Sequence, residues 1–309
     1  MDKIKIIVLA GPTASGKTEC AVRLAGNIGG EIISADSMQL YKYMDIGSAK
    51  PTAEERAAAV HHLIDEIDPA QDFSVAMYRE LAGRYIHQVH DAGKIPIIEG
   101  GTGLYVHSIV NNMDFSETPG DPELRERLRA LAEEHGGEYL HAELEKIDPD
   151  AAARIHPHNI KKMIRAIEAA KAGKPIPSFE KSESEPGEFE CLMFGITRGR
   201  QVLYDRINRR VDIMMQEGLV DEVKSILDRG IDPDSIAMKG IGYKEIIGYL
   251  EGNYGLDEAA ELVKRNTRRY AKRQLTWFRR YKDMIWYDVT DGTDEAVEDM
   301  SAKAAEFAG

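Results

Sequence analysis

The sequence predicts an α/β fold in which a parallel sheet is flanked by helices, interrupted by an all-helical insertion. Three observations carry this expectation. Short, isoleucine-rich apolar runs alternate with segments of helical period, the pattern of a parallel sheet buried on both faces. Between residues 113 and 190 such runs disappear. With 309 residues, 43% of them hydrophobic, the chain can bury one large core or two modest ones.

In chain order, strands are expected at IKIIVLA (4–10), EIISA (31–35), HHLIDEI (61–67), KIPIIEG (94–100) and CLMFGIT (191–197). The stretch from DPELRERL through IKKMIRAIEAAKAG contains no strand-like run and reads as several helices, closed by the polar, proline-bearing KPIPSFEKSESEPGEFE. Helices are expected around Leu203–Arg229 and Asp257–Arg280. The core is therefore placed at 1–112 and 191–309, and the insertion at 113–190.

No run approaches the roughly 18 to 20 apolar residues of a membrane span, and the amino-terminal apolar run is too short for a secretion signal. The expected location is the cytoplasm, with no membrane contact. Two distant cysteines, Cys20 and Cys191, suggest neither a disulfide framework nor a zinc site and read as small core residues. The histidines form no metal-binding signature.

Chemistry first shows in VLAGPTASGKTECAV, residues 8–22. Gly11, four residues, then Gly16-Lys17-Thr18 match the Walker A pattern, with a strand before and a helix after, and the fold expectation narrows to a P-loop NTPase-like sheet. In such a loop, here Gly11, Pro12, Thr13, Ala14, Ser15 and Gly16, backbone N–H groups turn around oxyanions. Lys17 adds a point charge and Thr18 can ligate Mg²⁺. The cradle recognises charge and geometry, so it does not name a reaction.

Asp36 follows the second strand, where ligands bind in open α/β sheets. Three roles are open to it: proton acceptor, outer ligand of Mg²⁺, or cap of the next helix. Gln39 could read a base edge and Lys50 could add charge near phosphates. Glu99 ends an apolar run as a Walker B acid does, and GGTGLYV (100–106) combines close backbone approach with the Thr102 hydroxyl. Arg206 and Arg210, four apart on a helix, could close over a diphosphate or lie on a solvated face.

The net charge of −13 argues against general nucleic-acid affinity, yet the charge is segregated. Residues 265–282 carry eight basic side chains and no acidic one, whereas residues 283–309 carry eight acids against Lys303. Arg265, Arg268, Arg269, Lys272 and Arg273 fall on one helical stripe. That stripe suits a nucleic-acid backbone, with Tyr270, Trp277 and Phe278 available for packing or stacking; pairing with the acidic tail is the competing reading.

GPTASGKT, SADSMQLYKYMDIGSAKP, GGTGLY, DPDAAARIHPHNIKKMIRAIE, KGIGYKE and RYAKRQLTWFR together resemble, in order, the blocks of the bacterial tRNA dimethylallyltransferases, or isopentenyltransferases. The resemblance spans essentially the whole chain. It implies transfer of a dimethylallyl group from dimethylallyl diphosphate to N6 of adenosine-37 in tRNA, with Mg²⁺ as cofactor. It implies that residues 13–18 hold the diphosphate, Asp36 is the general base, Thr102 lies near the adenosine and Arg210 contacts pyrophosphate. It also implies a tRNA surface of Asp36, Ser37, Met38, Gln39, Thr102, Arg125, Lys161, Lys162, Arg165, Lys239, Lys244, Lys272, Arg273, Gln274, Trp277 and Arg279, the insertion gripping the anticodon stem-loop. Asn159 and Lys162 stand where the family commonly has aspartate and arginine. One tRNA per chain leads us to expect a monomer. A kinase or NTPase using ATP, an adenylate isopentenyltransferase, and a non-catalytic RNA-binding protein are the alternatives.

Overall fold

A computed structural model describes residues 3–111, 121–176 and 187–309. The chain divides into two compact units, one formed by residues 1–112 with 187–309 and the other by residues 113–186. The boundary falls short of residue 190 because Phe189 and Glu190 already pair with Ile4 and Lys5 in the sheet.

The first unit is built on six parallel strands: β1 Ile4–Ala10, β2 Gly30–Ser34, β3 His61–His62, β4 Ile95–Gly100, β5 Phe189–Thr197 and β6 Ile285–Asp288, in spatial order β3-β2-β4-β1-β5-β6. Four of the expected strands stand close to their predicted bounds. The expected strand at 61–67 is cut after His62, since Leu63 and Asp65 take positive φ of 60° and 61°, which ends a pleat. Strand β6, absent from the sequence reading, pairs Ile285–Asp288 with Phe194–Thr197.

Helices lie against the sheet because their apolar residues recur on one face. Cys20, Ala21 and Leu24 of the helix Lys17–Ile28 join Ile7, Leu9, Ile97 and Phe194 in one core, to which Val297, Met300 and Ala304 of the helix Asp294–Ala308 also belong. The acidic tail is thus an amphipathic helix packed on the core. Cys20 is buried, and Cys191 half-buried on β5. The expected helix over Leu203–Arg229 is two, Arg200–Gln216 and Leu219–Asp228, broken at Gly218 with φ 100°.

The second unit carries four helices and no strand among its described residues: Pro122–His135, Gly137–Ile147, Pro149–Arg154 and Ile160–Lys171. Asp121, Asp148 and Asn159 each accept a backbone N–H as N-caps, so the chain restarts a helix at each of these side chains. Leu124, Leu128, Leu140, Leu144, Met163 and Ile167 form its own core. Among the described residues no helix is long and apolar enough to cross a membrane.

Candidate active site

The parallel register brings the carboxyl ends of the central strands together: Ala10 stands beside Gly100 and Gly195, and Ser34 beside Glu99. The loop after β1, the turn after β2 and the turn after β4 therefore converge on one edge. There they enclose a cavity of about 930 Å³.

The loop between β1 and the helix Lys17–Ile28 is tied from three directions. Ala14 sits at φ 62°, in the left-handed region that costs a non-glycine residue about 1–2 kcal/mol. Its carbonyl accepts Arg206 Nε–H at 2.9 Å, and the Ser15 carbonyl accepts Arg198 Nε–H at 2.7 Å. The Thr13 N–H donates to Gln274 Oε1 at 2.9 Å. At Gly11 any Cβ would run into the Ile196 carbonyl, so only glycine lets the loop leave the sheet here.

Lys17, Thr18, Asp36, Glu99 and Arg210 all line the cavity. Burial pushes the Lys17 ammonium below the ordinary lysine range, with Glu99 and Asp36 opposing the shift. Burial raises the Asp36 carboxyl, opposed by the Met38 N–H, the charge of Lys17 and the Gln39 N–H. Burial raises Glu99 as well, against the charge of Lys17. Two carboxylates and one ammonium thus share a partly desolvated space with Arg206, Arg209 and Arg210, and the arginines supply the positive charge that a polyanion there would meet. Thr18 Oγ1 lies 3.5 Å from Glu99 Oε1. Among the described residues no cluster of three or more His, Cys, Asp or Glu could hold a metal.

Asp36 caps no helix. Its Oδ1 accepts the Met38 N–H at 2.8 Å within its own turn, and Thr102 Oγ1 accepts the Ser37 N–H at 3.0 Å, joining the turn after β2 to the one after β4. Tyr270, which the sequence reading offered only for packing or stacking, also faces this corner: burial and the Asp36 charge push its phenol up to about 12.

Several of the expected site residues also have partners inside the protein. Gln274, expected on the tRNA surface, is 4% exposed and donates to the Gly101 carbonyl at 2.9 Å while accepting from Thr13. Gln39 lines the cavity, but its amide is committed internally: it accepts the Ser34 hydroxyl at 3.1 Å and donates to the Ala49 carbonyl at 3.2 Å. The Lys50 side chain is 3% exposed and neutralised by Asp45 at 2.6 Å and Asp65 at 2.5 Å, so it adds no free charge near phosphates. Arg125 spends its guanidinium on Glu168, through two bonds of 2.8 Å. Trp277 is half-buried with its indole against Gly103, and Met38 packs on Gly240.

The basic stripe lies on the helix Leu256–Phe278 and is exposed at Arg265, Arg269, Lys272 and Arg273, with Arg279 just past its end. Arg268 turns inward to Asn208. In the acidic tail Asp294 binds Arg23 at 2.8 Å and Asp299 binds Lys303. Lys239 and Lys244 are exposed beside Asp234 and Glu245. In the helical unit, Lys161, Lys162 and Arg165 are exposed on the helix Ile160–Lys171.

A family model for IPP transferases matches residues 39–281. The chain belongs to the IPP transferase family. Relatives of this family named tRNA dimethylallyltransferase include one from Alkaliphilus oremlandii, 51% identical over 94% of this chain and 93% of its own length. Another, from Acetivibrio thermocellus, is 50% identical over 98% of each. Among solved family structures, the full-length tRNA isopentenylpyrophosphate transferase of Bacillus halodurans is 46% identical, with TM-score 0.75, over 99% of this chain and 97% of the other. A eukaryotic dimethylallyltransferase acting on tRNA is 27% identical with TM-score 0.81, over 97% of this chain and 80% of the other.

Arg198 escaped the sequence reading because its partners, the Ser15 and Val289 carbonyls, lie 183 and 91 residues away. It stands between β5 and the helix Arg200–Gln216, and nothing in that stretch sets it apart from a solvated charge.

Proposed function

We propose that this IPP transferase moves the dimethylallyl group of dimethylallyl diphosphate onto N6 of adenosine-37 of tRNA, releasing diphosphate and leaving N6-(dimethylallyl)adenosine. The observation that carries the reading is one cavity lined both by a phosphate cradle and by Asp36, a carboxylate aligned by backbone N–H groups. A carboxylate beside a phosphate cradle also serves phosphoryl transfer, so the choice of alkyl transfer to an amine leans on the relatives named tRNA dimethylallyltransferase.

The allylic C–O bond breaks and its electron pair leaves with the diphosphate. The loop amides from Ala14 to Thr18, Lys17 and Arg210 meet the charge that grows there, binding it more strongly than the ground state. The N6 lone pair forms the new N–C bond, the nitrogen becomes acidic, and its proton passes to the Asp36 carboxylate. Mg²⁺ would be held by the Thr18 hydroxyl with Glu99 nearby, and when bound it supplies further neutralisation of the diphosphate. The Thr102 hydroxyl, tied to Ser37, holds the turn that carries Asp36 beside the incoming adenosine. Stacked in the loop, that adenosine could not reach the allylic carbon. It is flipped into the cavity at a cost of a few kcal/mol, offset by backbone contacts.

Those contacts fall to Arg265, Arg269, Lys272, Arg273 and Arg279 on the stripe, and to Lys161, Lys162 and Arg165 on the helical unit. The relatives' names and the eukaryotic enzyme acting on tRNA support tRNA as the acceptor. One chain carries cradle, base and stripe, so we take the working form to be a monomer, in the cytoplasm with its tRNA.

The test is incubation with labelled dimethylallyl diphosphate, Mg²⁺ and either an anticodon stem-loop bearing A36-A37-A38 or AMP. Label in the stem-loop alone is expected. Label in AMP would point to a nucleotide enzyme, and label in neither would overturn prenyl transfer.

A further inference from the structure

Three successive backbone N–H groups, of Asp45, Ile46 and Gly47, donate to the Glu222 carboxylate at 2.8, 2.7 and 3.0 Å. The hydroxyl of the buried Tyr243 donates to the same group at 2.8 Å, and its ring lies so close to Gly47 that a Cβ there would meet it at 2.6 Å. Four charge-assisted bonds converge on one side chain, each stronger than a neutral bond. Neighbouring ties complete the turn: Ser48 donates to the Met44 carbonyl and Gln39 to the Ala49 carbonyl.

This turn is a wall of the active-site cavity. Asp45, Ile46, Ser48 and Ala49 line it, whereas Glu222 does not, so Glu222 acts on the site only through the turn it holds. Most of the lining is polar or charged, and Ile46, Ile213 and Met214 are the large aliphatic side chains in it apart from Pro51. Ile213 and Met214 follow Arg210 by three and four residues and share its helix face. Along the axis they lie about 4.5 and 6 Å from it, so an apolar patch begins one turn beyond the arginine that meets the diphosphate. A diphosphate ester with a short hydrocarbon tail has that same order of groups.

We propose that Glu222 is a positioning residue for the prenyl group of the donor. By pinning Ile46 into the cavity that Ile213 and Met214 also line, it limits the tail to five carbons and excludes longer allylic diphosphates. The inference rests on the reaction proposed above.

The experiment measures kcat/KM for dimethylallyl and geranyl diphosphates with the stem-loop, in the unaltered protein, Glu222→Gln and Ile46→Ala. A glutamine offers one acceptor oxygen where the carboxylate serves four donors. The preference for the shorter donor is expected to fall by about tenfold or more in both variants, the scale set by hydrocarbon in a shaped pocket. If either variant loses rate equally on both donors, leaving the preference within about twofold of the original, the role is merely structural and the inference is overturned. Should Glu222→Gln fail to fold, the preference of Ile46→Ala decides alone. Absence of transfer from either donor by the unaltered protein overturns the reaction itself, a result distinct from an unchanged preference.

Discussion

Gln274 accepts the backbone N–H of Thr13 at 2.9 Å and donates to the Gly101 carbonyl at the same distance, so one buried amide joins the phosphate loop, the turn that presents Thr102 and the helix that carries the basic stripe. Gln274→Ala leaves both backbone groups without partners, each at about 1–3 kcal/mol. Titration calorimetry should show dimethylallyl diphosphate bound about tenfold or more weakly. Gln274→Glu should not rescue, because a carboxylate can accept from Thr13 but cannot donate to Gly101. Full affinity in the alanine variant would show that the loop holds its shape unaided.

The pH dependence of turnover follows from Asp36. Burial raises its carboxyl, so the base is present only above the ordinary aspartate range, and acidification should remove activity at a higher pH than an unperturbed aspartate would. Burial lowers Lys17, so alkaline loss should begin below the ordinary lysine range. Asp36→Asn should reduce kcat by about 10²-fold or more while leaving stem-loop affinity unchanged. Glu99 is also raised by burial, and the variant separates the two: what remains of the rate should lose its acid limb.

The exposed stripe makes a salt-dependent prediction. Replacing Arg269 and Arg273 by glutamine should weaken stem-loop binding and flatten the slope of log affinity against log salt by about 0.7–0.9 for each phosphate that is no longer neutralised. Diphosphate binding measured without tRNA should not move. An unchanged slope would remove these residues from the tRNA surface.

Arg125 has a structural partner in Glu168, which is 5% exposed. Burial raises the Glu168 carboxyl, but the Arg125 bond and the Asp121 N–H outweigh it and hold the group below the ordinary glutamate range. The pair therefore stabilises fully above the unfolded value and is lost as pH falls through the lowered folded one. Arg125→Ala should destabilise the helical unit by about 1–3 kcal/mol at neutral pH, less than a fully buried pair because the guanidinium is half-exposed. Thermal melts at neutral and acidic pH check this, the difference between variant and parent shrinking on acidification.

What could be read beforehand was local. The loop from Gly11 to Thr18, the carboxylate after β2 and the stripe from Arg265 to Arg273 each lie within a few residues, so spacing alone reveals them. Strand β6 was hidden because Ile285–Asp288 is four residues at a sheet edge, too short for a period to show. The strand expected through Ile67 failed on two positive-φ residues that hydropathy does not register. The ties made by Glu222 and Gln274 were not legible for one reason: their backbone partners lie 175–177 and 173–261 residues away, and nothing in their own neighbourhoods points there.

The central claim is that the loop holds a leaving group. Its most direct test follows pyrophosphate release and N6-alkylated adenosine together, supplying dimethylallyl diphosphate or ATP, each with and without the stem-loop. Pyrophosphate and alkylated adenosine are expected in equal amounts, only when dimethylallyl diphosphate and stem-loop are both present. A phosphorylated acceptor formed from ATP, without alkylated adenosine under any condition, would contradict it.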